Sequence, residues 1–351
     1  MAADYLHDEQ RRWLQQQARS FRWRTQWPTV LLMVAVYGGW FATLYFWQTL
    51  GLTAATLLLI WFTTWYMSFQ HELIHGHPTR WPRVNQLLGT LPLAVWYPYG
   101  LYRDSHLKHH RNDHLTHPEE DPETYYFSAR RWQQLTPFQR RWVRVRNTFP
   151  GRLLIAPAWD IMQTLRGMWK AVVHREWASI GMWLLHITLL VVLLRWMQAQ
   201  QFPIGWYLLG VTYPALSLTK VRSFLEHRYA EVPAARSAIN EAGLVWRLLF
   251  LNLNYHSVHH HLPAVPWFAL RQVYQHDKHG WLKNNHQFWV AGYGEGWRRY
   301  FLLAVPVEVH PEQQSEIRHE FSRCAANVCD QPAGCRCAVA DPLVAACQTR
   351  H

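Results

Sequence analysis

Cysteine is scarce: the 351 residues hold five, Cys324, Cys329, Cys335, Cys337 and Cys347, and none precedes Cys324. Their spacing fits neither a zinc ribbon nor a ferredoxin pattern, which leaves a thiol-bearing tail as the expectation. Charge is also sparse, at 17% of residues, and acids are outnumbered, with 23 Asp and Glu against 35 Lys and Arg for a net charge of +12. That excess could serve nucleic acid, but the long apolar runs direct it to an anionic membrane surface, so no nucleic-acid partner is expected. No cleavable signal is visible, because a polar, Arg-rich stretch of 28 residues leads into an apolar run of full span length. Internal repeats and flavin, haem or ferredoxin motifs are missing from the main body, so electrons for any redox chemistry must come from outside.

Apolar length is abundant. Half the residues are hydrophobic and 22 are Trp, a composition that suits lipid contact. Uninterrupted runs predict an all-α integral membrane protein with about four transmembrane helices, near 29–47, 50–69, 179–197 and 202–218, arranged as two hairpins under a cytoplasmic helical cap. Gln86 to Leu101 is apolar but broken by Pro92 and Pro98, which predicts a re-entrant or interfacial piece. Residues 1–28 read as a basic amphipathic segment with Trp13, Phe21, Trp23 and Trp27 suited to the headgroup region. Residues 29–309 read as the membrane domain, and 310–351 as a flexible tail whose histidines lie at the surface. Arginines crowd the N-terminal segment and the 80–175 region while the turns between spans carry almost none. Both termini and the central loop are therefore expected on the cytoplasmic side, as in a bacterial inner membrane.

Twenty-two histidines are present, and their spacing carries the most information. His71 and His75 stand four apart; His106, His109 and His110, and again His256, His259 and His260, follow a three-then-one pattern. Residues three or four apart on a helix share a face, so each set would aim its imidazoles at one point, as metal ligation requires. Random placement would give roughly 0.1 occurrences of His-x-x-His-His, and the chain has two. An even number of predicted crossings separates the boxes, so all fall on one side of the membrane. His227, in Ser-Phe-Leu-Glu-His-Arg, adds a ninth imidazole, a number that suits two ions with four or five ligands each. Glu72, Asp104, Asp113, Asp121 and Glu226 lie close enough in sequence to orient ring N–H groups, with Asp121 and Glu226 preferred. Asn252, four residues before His256, is expected on the same helical face, where it could hold a water near a metal. His77, His114, His117 and His261 are off the pattern and read as non-ligands, and His186, inside a span, as a buried polar contact.

With His-Glu-Leu-Ile-His-Gly-His from His71, Ser-His-Leu-Lys-His-His from Ser105 and Asn-Tyr-His-Ser-Val-His-His-His from Asn254, the chain resembles the membrane fatty acid desaturase and hydroxylase superfamily over roughly residues 30 to 290. The resemblance implies that His71, His75, His106, His109, His110, His227, His256, His259 and His260 bind two iron ions, with O2 as co-substrate. It further implies desaturation of the alkyl chain of a fatty acid or acyl lipid, with electrons from a ferredoxin, rubredoxin or cytochrome. A hydroxylase or ketolase of the same superfamily, acting on a lipid, alkane or carotenoid, is the alternative that the boxes do not separate. A histidine-rich metal transporter or sensor is more distant, because transport ligands belong within the spans and these lie outside them.

Overall fold

The computed structural model describes residues 6–111 and 114–313 and is mainly helical. Among the described residues, three helices are long and apolar enough to cross a membrane: Trp27–Tyr45, Leu52–Ile74 and Trp177–Ala199. The first begins with Pro28 in its opening turn, where a missing N–H costs nothing. The second starts after Gly51, whose φ of 77° turns the chain sharply. Trp177–Ala199 leaves Leu184, Leu185, Val191 and Val192 exposed, and at about 25 cal/mol per Å² such a face is stable only against lipid.

The fourth apolar run is helical but segmented: Ile204–Trp206, a π-helical stretch Tyr207–Thr212, then Tyr213–Arg222. Within it a Cβ on Gly210 would meet the Trp206 ring at 2.8 Å, and that indole is pinned by its hydrogen bond to Thr56 Oγ1 at 2.9 Å. The turns that precede the second and fourth runs adjoin each other, Trp47 Nε1 donating to the Gln200 carbonyl at 2.8 Å and Gln48 to Gln201 at 3.0 Å. Trp40, Leu44, Leu59, Tyr66, Met197, Tyr207 and Val211 form one fully buried core between these helices.

Between Pro82–Gly89 and Tyr99–His110 the chain dips into that core, burying Leu93, Ala94 and Val95. Its carbonyls are satisfied there by side chains from the bundle. Tyr207 donates to Leu93 and His186 Nε2 to Val95, both at 2.7 Å, so His186 makes the buried polar contact expected of it.

The two ends of the described chain differ from expectation. Trp13 stacks on His276 with centroids 4.1 Å apart, and Trp23 packs into the cluster around Val258, Phe268 and Tyr274; only Phe21 and Trp27 remain exposed. At the other end, the boundary after residue 309 falls inside packed structure. Val309 bridges Phe127, His310 is buried among His117, Tyr126 and Tyr229, and Gln313 accepts from Ala129 N at 2.8 Å. The surface assignment of His310 is therefore corrected: a neutral ring with aromatic neighbours packs well where a charged one would not. The cysteines and the rest of the tail lie outside the described residues.

Candidate metal centre

Four segments deliver the histidines. The Leu52–Ile74 helix carries His71, and His75 is its C-cap residue. Tyr99–His110 and the short helix His256–His261 carry the two triplets. His227 follows a 3₁₀ turn, Ser223–Leu225, and is held by a backbone bridge to Ser237. In three dimensions the nine separate into two groups whose ligand atoms all lie within 4.8 Å of one another: His71, His75, His106, His110 and His259, and His109, His227, His256 and His260. The split runs through adjacent residues, because consecutive side chains on a helix point about 100° apart. His109 and His110 go to different groups, as do His259 and His260. The groups abut, with the His110 and His260 rings stacked 4.3 Å apart.

The protonation pattern shows that these atoms suit a cation. His106 Nδ1 donates to Glu123 at 3.1 Å, His109 Nδ1 to Asp121 at 2.7 Å, and His227 Nδ1 to the Arg236 carbonyl at 3.2 Å. Each of those rings, when neutral, presents a bare lone pair at Nε2. Yet Nε2 atoms face one another: His75 and His106 at 3.1 Å, His110 and His259 at 3.1 Å, His256 with His227 at 2.9 Å and with His260 at 3.0 Å. One proton on His256 Nε2 cannot serve both of its neighbours, so lone pairs converge, and a metal ion is the group that such an array satisfies. Burial, and then the neighbouring imidazoles, hold His110, His256, His259 and His260 well below the usual histidine range. His227 is lowered to about 3 by burial and the nearby His109. His109 is the exception: burial pulls it down, but Asp121 and the nearby carboxylates outweigh that and raise it.

The expected supporting carboxylates fare unevenly. Asp121 is buried against His109 and also accepts from Thr116 N at 2.8 Å and Glu123 N at 2.9 Å. Glu226 faces His256 Nδ1 at 3.6 Å and pairs with Arg222 at 3.1 Å. Glu72 turns away from the imidazoles and accepts the Trp267 N–H at 3.0 Å. Asn252 is not on the His256 helix: it has a left-handed φ of 56° and donates to the Trp267 carbonyl at 2.9 Å. Asp104 pairs with Arg103 at the surface, and Asp113 lies outside the described residues. Glu123 was missed by sequence reasoning, although it stands two residues from Asp121 in the same loop. His77, His114, His117 and His261 belong to neither group.

Beside the second group opens a cavity of about 930 Å³. Met67, Trp96, Tyr97, Leu101 and Tyr102 line one part of it, and His106, His227 and His256 reach its wall. The apolar part suits the alkyl portion of a ligand, while charged side chains such as Lys108, Glu123, Arg131, Asp160, Lys220 and Arg222 line the rest.

In comparison with known proteins, the family model described as fatty acid desaturase matches residues 49–292, a stretch that includes all nine histidines. No curated protein matches the chain.

Proposed function

We propose, because this chain belongs to the fatty acid desaturase family, that it is an O2-dependent membrane oxidoreductase that desaturates the alkyl chain of a fatty acid or acyl lipid. The observation that carries the reading is the division of nine imidazoles into groups of five and four with their lone pairs converging. Each group would hold one iron ion. Bound iron would supply the activation of O2 and the oxidising power to remove hydrogen from an unactivated methylene, which no side chain can provide.

The rest is the work of this chain's own residues. Asp121 and Glu123 fix the tautomers of His109 and His106, so that Nε2 is the ligating atom. The cavity running along Trp96 to Tyr102 receives the alkyl chain and presents it to His106 and His256. Electrons arrive from a ferredoxin, rubredoxin or cytochrome on the basic cytoplasmic face.

The parity of crossings supports a fourth span. After the Leu52–Ile74 and Trp177–Ala199 crossings, His75 and His227 would stand on opposite sides of the membrane unless residues 204–222 return. Their groups adjoin through the stacked His110 and His260 rings, 4.3 Å apart, which supports the return. The membrane domain then has four crossings, with both termini and the centre facing the cytoplasm.

The test is iron analysis of the purified protein followed by incubation with a reducing partner, O2 and isotope-labelled lipid. Two irons per chain and products lighter by two hydrogens are expected. Products heavier by one oxygen would assign a hydroxylase or ketolase, and zinc without oxidation would end the enzymatic reading.

A further inference from the structure

Away from the histidines, a second cavity of about 320 Å³ is lined by Arg22, Arg247 and Arg271 together with Leu244, Leu248, Asn252, Phe268, Gln272 and Gln275. The arginines come from different segments: the short helix Phe21–Thr25, the helix Leu244–Leu249 and the helix Trp267–His276. No carboxylate lines the space. Arg247 and Arg271 are half-buried and form no ion pair or side-chain hydrogen bond among the described residues, while Arg22 lies over the Phe268 ring at 4.5 Å. Three guanidinium groups border one concave space that no carboxylate enters, so an anion is the complement it lacks.

Its position says which anion. Arg22 stands five residues before the helix that starts at Trp27, beside the exposed Phe21 and Trp27. The Leu248 carbonyl accepts from Trp65 Nε1 at 2.7 Å, just past the middle of the Leu52–Ile74 helix, and Leu244, Val245 and Leu248 are exposed alongside. The cationic space thus lies beside the start of one apolar helix and the C-terminal half of another, with apolar side chains at its rim. We propose that it binds the phosphate of an anionic membrane lipid, the guanidinium groups taking the headgroup and Leu244 and Leu248 the start of the acyl chains. A concave space of this size bordered by leucines suits a headgroup better than the face of an acidic protein. The proposal uses no residue of the histidine groups and does not depend on the reaction assigned to them.

Full-length protein, delipidated in detergent, is titrated with short-chain phosphatidylglycerol, phosphatidylcholine and inorganic phosphate. Native mass spectrometry counts the bound lipid. Preferential binding of phosphatidylglycerol is expected, weakened about five-fold by Arg247→Gln and again by Arg271→Gln, largely kept in Arg247→Lys and unchanged in Arg166→Gln. Equal binding of the two lipids, or variants that bind as the parent does, overturns the proposal. Displacement of the lipid by equimolar inorganic phosphate also overturns it, and assigns the space to a free anion.

Discussion

At the scale of single residues, carboxylates set which nitrogen is bare in two of the imidazoles, His106 and His109. Asp121→Asn and Glu123→Gln are expected to weaken metal binding about 10- to 100-fold each, measured by competition with a chelator, while folding is retained. The imidazoles themselves give a pH signature. His227, His256, His259 and His260 have lowered pKa values in the folded protein, so below about pH 6.5 the unfolded chain binds more protons than the folded one. The metal-free protein should therefore lose stability as pH falls from about 6.5 towards the folded His227 value of about 3. Melting temperatures across that range check it, and His260→Gln should make the fall shallower. The two histidine groups were legible because i, i+3 and i+4 spacing is a direct statement about a helix face. Their supports were less so. Glu72 is next to His71 in sequence, which on a helix turns it about 100° away and towards Trp267. Glu123 stands 17 residues beyond His106 in sequence and reaches back to it, a closure that no local periodicity announces.

At the scale of elements, apolar length alone located the long helices, yet it could not separate a straight helix from the segmented one at 204–222. Both begin as apolar runs. The difference lies in packing, where Gly210 admits the Trp206 ring and the register shifts locally to a π turn. Asn252 shows the same limit. The expectation that it shares a face with His256 assumed a continuous helix, whereas Leu251 and Asn252 take left-handed backbone and the helix begins only at His256. The proline-broken piece from Gln86 was readable as irregular, and the structure adds why it tolerates burial: Tyr207 and His186 supply the hydrogen bonds that water would. Its far end forms a wall of the larger cavity. Replacing Trp96 there by alanine is expected to shift the products towards longer or bulkier alkyl chains, read by mass spectrometry of the lipids; an unchanged distribution would remove that wall from the substrate path.

At the scale of the whole molecule, the adjoining turns at Trp47–Gln48 and Gln200–Gln201 belong to the face opposite the histidines if residues 204–222 cross the membrane. Single cysteines placed at Gln48 and Gln201 in a background lacking the five native cysteines should react with an impermeant thiol reagent from outside the cell, and one at Arg80 only after permeabilisation. Reaction of Gln48→Cys and Gln201→Cys from opposite sides would rule out the paired hairpins. The interleaved membership of the two histidine groups has a further consequence for how the protein is made. Neither group can be completed by a short stretch of chain: one needs residues from His71 to His259 and the other from His109 to His260. A ribosome must therefore deliver the chain as far as His259 or His260 before either group is complete, so any ion bound there would be loaded after those residues are made and could not guide the early steps of assembly.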